Sequence, residues 1–191
     1  MDEELGKLAF VLRTFGLVRG EFVLPDGSRT DVMVDVVPSV LHPLGSVLLG
    51  RCLHARASEK FPRAVGVIGG TSSSRLLLGP VVSASSESSR HPSFGGTLEI
   101  KVGGNEVRLG GELRMTDRVV LLESVTGSGA FTVAQVEALR GLGFDVQGVL
   151  AVVDRREGAR AALRGVTKFE SLLSMSQVER AKLRSPKGGT K

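Results

Sequence analysis

Apolar residues along this chain follow two rhythms, short unbroken runs and recurrences at three- and four-residue spacing. Both occur between Arg118 and Arg156. The run Val119–Leu122 ends on Glu123, and the small residues Thr126-Gly127-Ser128-Gly129-Ala130 follow. Apolar positions then recur at Val133, Val136, Leu139 and Leu142, before a second run, Val149–Val153, that ends on Asp154. A buried strand, a turn, a helix and a second strand in that order form the pattern of a right-handed βαβ unit. An earlier stretch repeats it. Ala64–Ile68 reads as a buried strand, Gly69-Gly70-Thr71-Ser72-Ser73-Ser74 as the turn and Arg75–Val82 as the helix. Two such units predict a parallel sheet with ligands at the carboxyl ends of its strands.

The remaining segments fill in around these units. Leu5, Leu8, Ala9, Leu12 and Phe15 share one helical face, which predicts a helix over 2–15 stopped by Gly16. Glu21–Leu24 and Thr30–Val37 flank Pro25-Asp26-Gly27 and read as a hairpin. Pro43 opens a helix that runs to about Lys60, with Cys52 on its apolar face and His54 on its surface. The serine-rich stretch Ser83–Gly96 predicts a long loop, and Thr97–Val102 with Glu106–Leu113 a second hairpin. Ser176-Gln177-Val178-Glu179 fits a capping box before a short last helix.

Composition narrows the classes. The 191 residues, 41% hydrophobic, suffice for one domain with a real core. No apolar run is long enough to span a membrane. The acidic start and the single cysteine, Cys52, predict a cytoplasmic protein without disulfides. A net charge of +5 favours anionic ligands. Nucleic acid is the less favoured partner, because the chain has no Trp or Tyr for base stacking and part of its charge lies in the tail from Lys182. Zinc is excluded by the spacing of His42, His54 and His91, and no Walker loop, Rossmann glycine pattern or nucleophile elbow occurs.

Three clusters can carry chemistry. Backbone amides of Gly127 and Gly129 and the Ser128 hydroxyl suit a phosphate, although any tight strand-to-helix turn also selects small residues. Glu123 is placed to hold a ribose hydroxyl or a ligand-borne magnesium ion, or simply to pair with an arginine. Arg155, within Asp154-Arg155-Arg156-Glu157-Gly158, can fork onto a carboxylate or phosphate, unless these charges pair with one another in solvent.

Over residues 5–165 the chain resembles the phosphoribosyltransferases, specifically the orotate type. Gly20-Glu21-Phe22-Val23-Leu24 with Asp26-Gly27 is similar to that family's first hairpin, and Arg118–Gly158 to its phosphoribosyl-diphosphate-binding strand, loop and helix, through to the D-R-x-E-G end. The resemblance implies an α/β fold, with a central parallel sheet flanked by helices and a small hairpin hood built from about residues 1–40 plus the C-terminal part. It implies a single domain over 1–175, followed by a short helix and a basic flexible tail over 176–191. It also implies a homodimer and magnesium carried by phosphoribosyl diphosphate. By position, Glu123 and Ser124 fall on the ribose side, Val125, Thr126, Gly127, Ser128, Gly129 and Ala130 form the 5′-phosphate loop, and Arg155 meets the base. Thr71, Ser72 and Ser73 line the small loop that meets the pyrophosphate, and Lys101 is the catalytic cation of the mobile loop.

The chain departs from that pattern at several of these positions. The acid pair is Glu123-Ser124, the phosphate loop has lost hydroxyls, the lysine of the first small loop is gone, and Gly103 stands where a histidine belongs. Pro25 replaces a lysine of the first hairpin, and Met33 and Val34 stand where the family has aromatic residues. Arg75, Arg90 and Arg108 are surplus cations. Two readings follow: a phosphoribosyltransferase acting on orotate or a similar base, and a catalytically degenerate relative that binds a nucleotide or phosphoribosyl diphosphate and regulates a partner.

Overall fold

In a computed structural model of the chain, the residues described are 2–23, 27, 29–87, 94–100 and 107–182, leaving aside the side chains of 99, 100 and 107–109. Lys101, Pro25, Asp26, Arg90, Gly103 and the tail from 183 lie outside them.

The first helix, α1 (Asp2–Phe15), turns its Leu8 and Leu12 stripe inward as its spacing predicts. A separate antiparallel pair, β1 (Leu17–Val23) and β2 (Arg29–Val34), forms the hood. The predicted strand to Val37 stops short, because Pro38 fits the first turn of a short helix, α2 (Val37–Leu41). Helix α3 (Pro43–Lys60) follows, with the His42 side chain accepting from the Gly45 amide. His54 is buried in α3 and does not lie on its surface as its sequence position suggested.

Strand β3 (Gly66–Gly69) leads into α4 (Ser72–Arg75) and α5 (Leu78–Ser86), so the helix expected over 75–82 is two pieces broken at Leu76-Leu77. The stretch expected as a loop over Ser83–Gly96 gives its first residues, to Ser86, to α5 and its last, from Phe94, to β4 (Phe94–Ile100). Then come β5 (Val107–Gly111), β6 (Arg118–Thr126), α6 (Ala130–Gly141), β7 (Asp145–Asp154), α7 (Ala159–Ala162), β8 (Phe169–Ser174) and α8 (Met175–Arg180). The last helix is capped by Ser174 with Gln177 at its third position, two residues earlier than the sequence pattern placed it.

The main sheet runs β5-β4-β3-β6-β7-β8, parallel throughout except for the antiparallel edge strand β5. Both faces are covered, which explains the near-continuous apolar runs. Val120 and Leu122 of β6 point to the face packed by α1, α3, α5 and α8, while Val119 and Leu121 point to the face packed by α6 and α7. Strand register shapes the functional edge. Thr126 lies opposite Asp154, so the turns after β6 and β7 emerge side by side, whereas β3 ends at Gly69 opposite Leu122, short of the end of β6, which sets α4 against the last residues of β6. Arg13 ties α1 to the carbonyl of Ala181, closing the ends of the described chain over one face.

Candidate functional site

At the edge of the sheet, β6 passes through Gly127-Ser128-Gly129 into α6. Gly129 has a φ of +85°, the left-handed region that favours glycine, and a Cβ there would press on the backbone of Ala159. The loop is fixed from the neighbouring turn. Arg155 N donates to Thr126 O at 2.9 Å and Ala159 N to Gly127 O at 3.0 Å. Ser128 and Ala130 are exposed, Gly127 is half-buried, and the buried Thr126 hydroxyl makes no hydrogen bond. Helix α6 spans 12 residues, and the amides of its first turn face this exposed loop, a favourable setting for an anion.

Glu123 lies just before the loop and is only 3% exposed. Its Oε1 accepts from Thr132 Oγ1 at 3.1 Å and from Gln135 Nε2 at 2.7 Å, both on the first turns of α6. Burial pushes its carboxyl up to about 7, with these two hydrogen bonds acting in the opposite direction. Gln135 Oε1 makes no hydrogen bond and sits against Gly70, where any Cβ would collide with it. Glycine at 70 thus allows the first small loop to close onto α6.

Ser124 faces the other way. Its Oγ lies 2.7 Å from Ser73 Oγ, which is itself 3.3 Å from Thr71 Oγ1. Thr71 caps α4, accepting from the Ser74 amide, while Ser74 Oγ accepts from the Thr71 amide. Ser72 is exposed beside them, and Val125 packs half-buried on the core. The sites predicted on the two small-residue turns are therefore joined by hydroxyls. Arg75, a surplus cation in the sequence, donates to Leu98 O at 2.9 Å and so braces α4 on β4.

Arg155 completes the edge. Its side chain is 8% exposed; Nε donates to Glu157 Oε1 at 2.8 Å and Nη1 to Met33 Sδ at 3.3 Å. Glu157 Oε2 lies beside Gly127, so one carboxylate accepts from the arginine and borders the β6–α6 loop. The buried Asp154 accepts from the Arg156 amide at 2.7 Å and from Arg160 Nε at 3.1 Å. That holds Arg156 at a φ of +62°. Sequence reasoning missed Thr132, Gln135 and Glu157 as parts of the site. A signal for the first two was present: polar residues three apart on the same side of an otherwise apolar helix.

Among the described residues no three His, Cys, Asp or Glu side chains gather as a metal site. Position 124 carries a hydroxyl and the Glu123 carboxyl is engaged beneath α6, so this donor set does not fit a magnesium ion held by protein carboxylates.

No protein-family model matches the chain. It is, however, 30% identical over 167 residues to the orotate phosphoribosyltransferase of Rhodopirellula baltica, covering 84% of this chain and 86% of that one. The chain belongs to the orotate phosphoribosyltransferase family. The solved orotate phosphoribosyltransferase of Aeropyrum pernix superposes with a TM-score of 0.72 at 26% identity, over 90% of this chain and 95% of that one. The Mycobacterium tuberculosis orotate phosphoribosyltransferase in complex with phosphoribosyl diphosphate shares the fold, with a TM-score of 0.72 at 24% identity over 92% and 98% of the two chains. The fold is that of the type I phosphoribosyltransferases, hairpin hood included. No helix among the described residues is long and apolar enough to cross a membrane.

Proposed function

We propose that this protein transfers the phosphoribosyl group of phosphoribosyl diphosphate to orotate or a similar base in nucleotide synthesis. The observation that carries the reading is the shared brace at the sheet edge. Arg155 N donates to Thr126 O at the start of the Gly127–Gly129 loop, and Glu157, which accepts from Arg155 Nε, lies beside Gly127, which supports reading the arginine as the base contact and the loop as the phosphate contact.

In the reaction a ring nitrogen of the base forms a bond to the anomeric carbon. The bond from that carbon to the pyrophosphate oxygen breaks, and pyrophosphate leaves with the electron pair. The nitrogen's proton passes to solvent. The amides of Gly127 and Gly129, the start of α6 at Ala130 and the Ser128 hydroxyl hold the 5′-phosphate. Ser124 takes the ribose side, while Glu123, buried on the opposite face of β6 and held by Thr132 and Gln135, supports the loop from beneath. Thr71, Ser72 and Ser73 line the pyrophosphate side, where Lys101 of a second copy of the chain supplies the cation in a homodimer. Charge gathers on the leaving pyrophosphate, so a cation there acts in the transition state. The Arg155 Nη groups meet the carboxylate or carbonyl of the base. Magnesium enters with phosphoribosyl diphosphate as the counter-ion of the substrate.

The test is orotate consumption with phosphoribosyl diphosphate and magnesium, measured for the native chain and for Arg155→Ala. Turnover by the native chain is expected, with the KM for orotate raised at least tenfold in the variant, about 1.4 kcal/mol of lost binding. Absence of turnover, together with absence of calorimetric binding of phosphoribosyl diphosphate or orotidine monophosphate, refutes the proposal.

A further inference from the structure

Two hydroxyls meet where α4, which follows β3, packs on the end of β6. Ser73 Oγ, on α4, and Ser124 Oγ, near the end of β6, are 2.7 Å apart, and the strand β3 that leads into α4 runs parallel beside β6. Thr71 Oγ1 extends the row, 3.3 Å from Ser73. The acid next to this row, Glu123, turns to the opposite face of β6, where Thr132 and Gln135 occupy its Oε1. Resting on the phosphoribosyl reading above, we propose that the ribose and diphosphate part of the ligand is bound here through neutral hydroxyls, so that its affinity does not depend on a divalent cation.

The argument is electrostatic. A carboxylate facing a diphosphate repels it, and a divalent cation between them removes the repulsion. A serine hydroxyl needs no such mediator, because it can donate to a phosphate oxygen or accept from a ribose hydroxyl by rotating. Position 124 presents a hydroxyl on this face. Burial also pushes the carboxyl of Glu123 towards its neutral form, which lowers the negative charge under the junction further. No cluster of metal-binding side chains gathers among the described residues to recruit a cation instead.

The experiment is calorimetric titration of the full chain with phosphoribosyl diphosphate, once with excess magnesium and once with excess EDTA. The native affinity is expected to differ by less than about threefold between the two buffers, under ~0.7 kcal/mol. Ser124→Asp restores a carboxylate on this face. It is expected to bind at least about tenfold more weakly in EDTA than in magnesium. Ser73→Ala removes one hydroxyl without adding charge, and it is expected to weaken binding severalfold and equally in both buffers. A native affinity that drops about tenfold or more in EDTA overturns the inference and leaves the phosphoribosyl reading standing. A Ser73→Ala defect confined to the magnesium buffer also overturns it, because the hydroxyl would then serve a hydrated metal. No binding in either buffer overturns both.

Discussion

Replacing Glu123 by glutamine is expected to make the protein less sensitive to alkaline pH than its native form. The carboxyl is 3% exposed, and burial raises it from 4.5 to about 7. The folded chain therefore holds this proton up to a higher pH than the unfolded chain does. Stability from this group is fully present below about pH 4.5 and is lost as pH rises through about 7. At ~1.36 kcal/mol per pH unit, the loss between about pH 5 and about pH 8 integrates to about 2.5 kcal/mol. Glutamine has the same shape, and its carbonyl oxygen can accept from Thr132 and Gln135 while the side chain stays neutral throughout. Urea unfolding of both proteins at the two pH values isolates the effect, because every other titrating group cancels in the difference. The stability of Glu123→Gln relative to the native chain is expected to improve by about 2.5 kcal/mol on going from the acidic to the alkaline buffer. A difference that changes by less than about 0.5 kcal/mol would falsify the account, since the carboxyl would then ionise freely where it lies.

Other perturbations probe the frame around the site. Gly70→Ala drives a methyl into Gln135 Oε1 and is expected to cost about 1–3 kcal/mol in thermal or urea unfolding; an unchanged midpoint counts against the tight loop-to-helix contact. Leu122→Ala empties a position with 0% exposure in the core beneath the site, with an expected cost of about 2–5 kcal/mol by the same measurement. Burial pushes the Cys52 thiol up to about 11, so a thiol reagent near neutral pH is expected to label it only after denaturant is added. Rapid labelling of the native chain contradicts its place in the core.

The parallel sheet was legible because its strands are short apolar runs closed by small-residue turns, and burial on both faces leaves that mark on a sequence. The tight turn between β6 and α6 was legible for the same reason, through Gly127 and Gly129. What escaped reading depends on contacts between distant segments. The spacing of Thr132 and Gln135 marks them as a polar pair on α6, but that Glu123 is their partner follows only once α6 folds back on β6. The break between α4 and α5 is equally hidden. Thr71 and Ser74 close a capping box on the short first piece, and the Leu76-Leu77 turn then redirects the chain to pack α5 on α3. The helix after β2 competes with a plausible strand, and Pro38 in its first turn decides the matter.

The hairpin of β1 and β2 shares no strand pairing with the main sheet, yet Met33 on β2 reaches the side chain of Arg155 at the end of β7. On the proposed roles, the base is met partly from the hairpin and the phosphate from the main sheet, two hydrogen-bonded frameworks. Changes at the exposed positions of the hairpin spare the core, into which Val34 and Leu17 pack. For protein engineering, that makes the hairpin an exchangeable cassette wherever its replacement keeps the packing of Val34 and Leu17 and the contact with Arg155.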